Sequence, residues 1–112
     1  HVLVEVYGCK KSTLDNLDKI RELLMTATKE GGATIIKDIF HKFSPQGVSG
    51  VIVIAESHVA IHTWPELGYA AVDIFTCGTR VDPWDIEKRI RTGFKPKNVF
   101  SLEINRGNFI KK

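Results

Sequence analysis

The apolar run Val-Ile-Val-Ile-Ala at residues 51–55 constrains the fold more than any other feature of this sequence. Its β-branched side chains favour a strand, and apolar residues stand at both odd and even positions. We therefore expect a central strand that is covered on both faces. The sequence then becomes polar abruptly at Glu56, Ser57 and His58, which suggests that this junction carries chemistry.

Strand patterns recur along the rest of the chain. Segments that alternate in polarity, or that are rich in β-branched and aromatic residues, stand at residues 2–7, 33–43, 48–55, 69–76 and 99–104. Each has the length and composition of a strand. The turn formers in "SPQG" separate the second and third of these strands, so we expect them to pair antiparallel.

Two amphipathic helices are also expected. The first begins at a cap on Ser12 or Thr13 and ends at Gly31, because apolar residues recur at helical spacing between these positions. The second begins at the cap Asp82 and ends near Gly93. The predicted order is strand, helix, strand, strand, a short piece, strand, helix, strand.

These elements predict one α+β domain over residues 1–112, without a linker or repeat. We expect a two-layer sandwich, in which a mostly antiparallel sheet carries two helices on one face.

Composition excludes several classes of protein. The 16 Lys and Arg against 13 Asp and Glu leave a charge of +3, and the positive residues are scattered, so we expect no nucleic-acid partner. Apolar runs fall short of the roughly 18 residues that a membrane span needs. Cys9 and Cys77 are far apart in sequence and form no CxxC pair, which favours a cytoplasmic protein without a disulfide framework.

The segment "ESHVAIH" at residues 56–62 allows three interpretations. His58 and His62 have the spacing of two metal ligands on a helix, but their neighbours are β-branched and the HExxH pattern is absent. We therefore predict no metal site. In the second interpretation the segment is a strand end and turn whose histidines are satisfied by hydrogen bonds.

The third interpretation makes Ser57 a nucleophile, with His62 and Cys77 as proton-transfer groups. A serine reacts at neutral pH only beside a base in a defined geometry. The GxSxG elbow of the familiar hydrolases is absent, which argues against a conventional serine hydrolase.

Residues 49–78, "SGVIVIAESHVAIHTWPELGYAAVDIFTCG", resemble the signature region of the short prokaryotic S-adenosylmethionine decarboxylases. These enzymes of polyamine synthesis make their own pyruvoyl cofactor. The preceding "ATIIKDIFHKFSPQGVSG" and the following "DPW" also fit the family, so the similarity covers most of the chain.

The resemblance implies that the chain cuts itself. Ser57 would attack the carbonyl carbon of Glu56 and form an ester, and loss of the serine Hα would then release Glu56 as a new carboxy terminus. The products would be a 1–56 chain and a 57–112 chain that begins with a covalently bound pyruvoyl group derived from Ser57. The mature enzyme would convert S-adenosylmethionine to S-adenosylmethioninamine and CO2 for spermidine synthesis.

The resemblance also implies roles for individual residues. His62 would remove the Hα, Ser49 would assist processing, and Cys77 would return a proton to the substrate carbon. Glu66 would accept hydrogen bonds from the ribose hydroxyls and Phe43 would stack on adenine.

Two alternatives remain at this point. A pyruvoyl-dependent enzyme with the same scaffold could decarboxylate arginine, although Glu66 in "HTWPE" favours a nucleoside substrate. A non-catalytic α+β module that binds a ligand or a metal would keep an intact chain and have no reactive carbonyl.

Spacing predicts how the site is divided. Along a regular strand, Ser49 and Ser57 would lie roughly 26 Å apart, and a hairpin near residue 57 would place residue 51 opposite about residue 62. His62 would then approach Ser49 and move away from Ser57. A two-fold homodimer would unite Ser57 and Cys77 of one protomer with Ser49 and His62 of the other, unless a bulge folds His62 back onto its own serine.

Overall fold

The computed structural model describes residues 1–77 and 80–107. Its strands are β1 Val2–Tyr7, β2 Ile35–Lys42, β3 Val48–Ile54, β4 Ser57–Trp64, β5 Tyr69–Phe75 and β6 Asn98–Glu103. Its helices are α1 Lys11–Leu14, α2 Leu17–Glu30 and α3 Pro83–Phe94, and a single 3₁₀ turn covers Pro65–Leu67.

The strands form one antiparallel sheet in the order β2-β3-β4-β5-β1-β6. The helices α2 and α3 pack against each other and against this sheet. The predicted α+β architecture, a sheet with two main helices on one face, is confirmed. Among the helices that the structure describes, none has the length and apolar character needed to cross a membrane.

The core lies between the helices and one face of the sheet. Alternate side chains of β1, β3, β4 and β5 point into it, because successive residues of a strand face opposite sides. The sheet and the helices contribute fully buried aliphatic side chains, among them Val4, Ile52, Ile61, Val72, Leu24, Ile86 and Ile90.

The opposite face of the sheet, which we call the open face, carries no helix in the described part of the chain. Val53 in β3 is 44% exposed, whereas its neighbours Ile52 and Ile54 are buried. The prediction that both faces of this strand are covered is therefore wrong for a single protomer. Other large apolar side chains are exposed on the same face, namely Tyr7, Trp64, Phe100 and Leu102.

One strand was missing from the predicted order. The segment expected to be a short piece forms β4, a strand of eight residues. Val59, Ile61 and Thr63 are buried at alternate positions of β4, and this alternation stabilises a strand despite its polar start.

The first helix differs from its prediction, because it is interrupted at Asp15 and Asn16. The side chain of Asn16 accepts a hydrogen bond from the backbone N–H of Lys19 and begins α2, so the predicted cap at Ser12 or Thr13 is wrong. An Asn at this position satisfies a free N–H of the new helix. The end of α2 before Gly31 is confirmed.

The last helix agrees closely with its prediction. Asp82 accepts a hydrogen bond from the backbone N–H of Trp84, and Pro83 occupies the first turn. The helix continues to Phe94, one residue beyond Gly93, and Lys95 ends it in the left-handed conformation.

Candidate active site

The hairpin of β3 and β4 positions most of the predicted site residues. A turn of two residues, Ala55 and Glu56, joins the strands, so Ile54 lies opposite Ser57. The predicted reversal of the chain is confirmed. Because the turn is so short, Val51 lies opposite Ala60 rather than a residue near position 62.

At the far end of this hairpin, Ser49 and His62 form a pair. They are opposite each other in the register, and Ser49 Oγ shares a hydrogen bond of 2.7 Å with His62 Nδ1. Both side chains lie on the open face, because they alternate with buried neighbours. A histidine whose Nδ1 is held by a hydrogen bond has a fixed ring orientation, and a general base needs such an orientation.

A concavity of about 380 Å³ surrounds this pair. We call it the His62 half-site, and its lining residues are Phe43, Gln46, Gly47, Ser49, His62, Thr63, Trp64 and Glu66. The structure thus brings together four of the predicted site residues, Ser49, His62, Glu66 and Phe43. Gln46 and Trp64 were not predicted from the sequence, although Trp64 stands two residues after His62 and so faces the same side of the strand.

The indole ring of Trp64 belongs to an aromatic row on the open face. Trp64 stacks on Tyr69 at 5.2 Å between ring centroids, and Tyr69 stacks on Tyr7 at 5.3 Å. The hydroxyl of Tyr69 donates to Glu5. Burial, and next the Glu5 carboxylate, raise the pKa of Tyr69, so the phenol stays protonated and keeps the row in place.

The second group of predicted residues lies around the hairpin turn, and we call it the Ser57 half-site. It contains Glu56, Ser57 and Cys77. Thr34 holds the turn in two ways: its carbonyl accepts from the N–H of Ala55 at 2.9 Å, and its N–H donates to Glu56 Oε1 at 3.2 Å. The residue before the predicted scissile bond is therefore held through its side chain, and its neighbour Ala55 through the backbone.

The backbone at Ser57 is strained. Its φ is 151°, and Lys95 is the other non-glycine residue with a positive φ among the residues described. L-residues avoid this region, and holding one there costs on the order of 1–3 kcal/mol. The strain therefore lies on the residue whose nitrogen forms the Glu56–Ser57 peptide bond.

An aromatic cluster begins beside the Ser57 hydroxyl. Its Oγ lies 3.5 Å from His58 Nδ1, and the His58 ring meets Phe75 edge to face at 5.6 Å. His1 stacks on Phe75, and the Arg106 guanidinium lies 4.6 Å from the centre of that ring.

Cys77 stands at the same end of the sheet as Ser57. Phe75 is the last residue of β5 and pairs with His58 in β4, so the chain reaches Cys77 two residues later. The Cys77 thiol is free and exposed. This placement puts a free thiol at the end of the sheet where Ser57 lies.

The two half-sites do not meet within one protomer. His62 follows Ser57 by five residues of a regular strand, or about 16 Å. The register is continuous from Ile54 and Ser57 to Ser49 and His62, so the alternative in which a bulge returns His62 to its own serine is wrong.

The same strand geometry argues against a metal site at His58 and His62. Four residues of extended strand separate them, or about 13 Å, which is too far for one ion. Within residues 1–77 and 80–107, no group of three His, Cys, Asp or Glu side chains could hold a metal. A separate groove of about 480 Å³ between α2 and α3 contains none of the predicted site residues.

Known proteins of one family are similar to this chain. The model of the S-adenosylmethionine decarboxylase family matches residues 1–107. The S-adenosylmethionine decarboxylase proenzyme of Moorella thermoacetica is 59% identical over 96% of this chain and 86% of its own length. The proenzyme of Acetivibrio thermocellus is 53% identical over 97% of this chain and 88% of its own length.

A solved structure is also similar. The crystal structure of the adenosylmethionine decarboxylase from Aquifex aeolicus superimposes with a TM-score of 0.85 at 38% identity. The match covers 90% of this chain and 83% of that one.

Proposed function

Because this chain belongs to the S-adenosylmethionine decarboxylase family, we propose that it cuts itself between Glu56 and Ser57 and then decarboxylates S-adenosylmethionine. Membership identifies a decarboxylase proenzyme of polyamine synthesis whose pyruvoyl group comes from a serine. We assign that serine to Ser57. The products are S-adenosylmethioninamine, the precursor for spermidine, and CO2.

The observation that carries this assignment is the strained backbone at Ser57, where φ is 151°. Ser57 Oγ attacks the carbonyl carbon of Glu56, the peptide C–N bond breaks, and the Ser57 nitrogen takes the proton that the hydroxyl loses. The ester that results no longer ties Ser57 to the strained peptide geometry. Thr34 keeps the Glu56 side on a fixed path during this step, because it holds the Glu56 carboxylate and the N–H of Ala55.

His62 completes the cleavage in our proposal. It removes the Hα of Ser57, the ester C–O bond breaks, and Glu56 leaves as a carboxylate. The dehydroalanine at position 57 takes up water and loses ammonia, which leaves the pyruvoyl group. Ser49 supports this step because its hydrogen bond fixes the His62 ring.

Other residues of the chain bind the substrate and protonate it. The pyruvoyl group, once formed, supplies an acceptor for the electrons that remain when CO2 departs. Glu66 accepts from the ribose hydroxyls and Phe43 stacks on adenine, since both line the concavity beside His62. Cys77 returns the proton to the substrate carbon, for which its free and exposed thiol is suited.

A second copy of the chain would unite these residues. The roughly 16 Å between Ser57 and His62 argues against a site within one protomer. We propose a two-fold homodimer through the open face, because that face exposes Val53, Trp64 and Phe100 and because large exposed apolar patches mark interfaces. Two-fold symmetry then gives two identical sites, each with the Ser57 half-site of one protomer and the His62 half-site of the other.

We also propose that the enzyme works in the cytoplasm. Cys9 and Cys77 are both free thiols, and Cys77 must stay reduced to donate a proton. The cytosol maintains thiols in this state.

An assay with two substrates tests the proposed function. We expect the purified protein to release CO2 from S-adenosylmethionine and none from arginine, and to appear as two fragments in denaturing mass spectrometry. Release of CO2 from arginine alone would assign the chain to the alternative decarboxylase. An intact chain that acts on neither substrate would support the non-catalytic module instead.

Replacing Cys77 by alanine separates cleavage from catalysis. We expect Cys77→Ala to be cut normally and to keep its pyruvoyl group, since cleavage precedes the step that Cys77 serves. Decarboxylation should fall by about 100-fold or more, the usual contribution of a general acid. The matched control is Cys9→Ala, which removes a buried thiol and should remain active. Full turnover to the correct amine by Cys77→Ala would remove Cys77 from the mechanism.

A further inference from the structure

The break between α1 and α2 lies against the loop that carries Phe43. This loop, residues 43–47, joins β2 to β3 and is closed by a hydrogen bond of 2.8 Å from the N–H of Phe43 to the carbonyl of Gly47. Phe43, Gln46 and Gly47 all line the His62 half-site. The conformation of the loop therefore determines the shape of one wall of that concavity.

The carboxylate of Asp15, in the break, holds both ends of this loop. Asp15 Oδ1 accepts from the N–H of Gly47 at 2.8 Å and pairs with Lys42 Nζ at 3.0 Å. The same Lys42 Nζ donates to the carbonyl of Phe43 at 3.0 Å. Asp15 thus contacts the end of the loop directly and its beginning through Lys42. Hydrogen bonds that involve a charged group are stronger than neutral ones.

Thr63 fixes the break itself to the sheet. Its Oγ1 donates to the carbonyl of Leu14 at 2.7 Å and accepts from the N–H of Val48 at 2.9 Å, and both bonds are buried. Leu14 precedes Asp15 and Val48 follows the loop. One side chain therefore holds both the residue before Asp15 and the residue after the loop.

We propose that Asp15 is a positioning residue for substrate binding, which keeps the 43–47 loop closed so that Phe43 faces the nucleoside. Asp15 itself does not line the concavity. The inference rests on the proposed function, and specifically on adenine binding at Phe43. It also assigns a role to the helix break, because Asp15 lies in the break and contacts Gly47 and Lys42 from there.

The contacts of Asp15 with Gly47 and Lys42, which we call the clamp, are not a pH switch in the neutral range. The N–H of Gly47, followed by Lys42, lowers the pKa of Asp15. A carboxylate with a lowered pKa keeps its stabilising contacts above its ordinary pKa of about 3.9 and loses them only as the pH falls through the lower folded value.

Asp15 should affect binding and leave self-cleavage unchanged. Ser49 and His62 are held by the pairing of β3 with β4, and the scissile turn is held by Thr34. None of these contacts involves Asp15. A loosened loop would therefore weaken the hold on the nucleoside without moving the groups that cut the chain.

The test compares Asp15→Ala, Asp15→Asn and the control Asp18→Ala with the wild-type enzyme. Asp18 is exposed in the first turn of α2 and makes no side-chain hydrogen bond to the described residues. We expect Asp15→Ala to be fully cut and to raise KM for S-adenosylmethionine about tenfold, with kcat within about threefold of wild type. Asp15→Asn should recover part of the loss, because its amide oxygen can still accept from the N–H of Gly47.

A KM for Asp15→Ala within about twofold of the control overturns the proposal, and so does a loss confined to kcat or to the cleaved fraction. If Asp15→Ala does not fold, Lys42→Met replaces it: this variant removes only the bridge to Phe43 and should raise KM at least about threefold. An unchanged KM in Lys42→Met would then contradict the clamp. A wild-type enzyme that does not decarboxylate S-adenosylmethionine refutes the proposed function itself, a separate outcome.

Discussion

Ser57→Ala yields a folded chain of full length that never becomes active. Without the hydroxyl, no group at this position can attack the carbonyl of Glu56, so no ester and no pyruvoyl group form. The fold should survive, because Ser57 is only partly buried and its side-chain hydrogen bond to His58 Nδ1 is 3.5 Å long. Decarboxylation should fall by at least about a millionfold, since the whole catalytic group is lost.

Denaturing mass spectrometry checks this result in one experiment. Ser57→Ala should give a single species of full length, and a carbonyl reagent should not label it. The matched control is Ser12→Ala, because Ser12 is an exposed serine in α1 and its loss should leave cleavage and activity intact. Two fragments from Ser57→Ala would remove Ser57 as the source of the cofactor.

Much of the fold could be predicted because its strands and caps have local signals. The cap at Asp82 and the alternation of β1 are readable from a few neighbouring residues. The strand β4 was missed because its polar residues, Ser57, His58 and His62, obscure the alternation of its buried side chains. The open face could not be foreseen either, since an apolar strand looks the same whether a helix or a second protomer covers it.

The sequence named candidate residues that the structure places in two half-sites, but it did not predict the contacts that hold these residues. The rise of about 3.3 Å per residue along a strand predicted that Ser49 and Ser57 lie too far apart to share a site in one chain. The contacts that hold the site are different, because they join residues far apart in sequence. Thr34 binds Glu56, and Asp15 binds Gly47 across 32 positions. No local sequence pattern predicts such pairs. Strain at Ser57 is likewise a product of the whole hairpin.

His62→Ala should abolish self-cleavage while leaving the sheet intact. The side chain is exposed at the open face and contributes nothing to the core. Loss of a general base slows a reaction by roughly 10²–10⁴, so the variant should remain uncut on the time scale on which the wild-type chain is processed. Circular dichroism and thermal unfolding should match those of Ser57→Ala.

Co-folding Ser57→Ala with His62→Ala measures directly whether two protomers share each site. The mixed dimer has one intact site, made of Ser57 from the His62→Ala chain and His62 from the Ser57→Ala chain. We expect the His62→Ala chain to be cut only in the mixture, in about half of its copies when equal amounts pair at random. The Ser57→Ala chain should stay whole. If chains with different tags demonstrably exchange partners and no fragments form, the site does not span two protomers and the account is wrong.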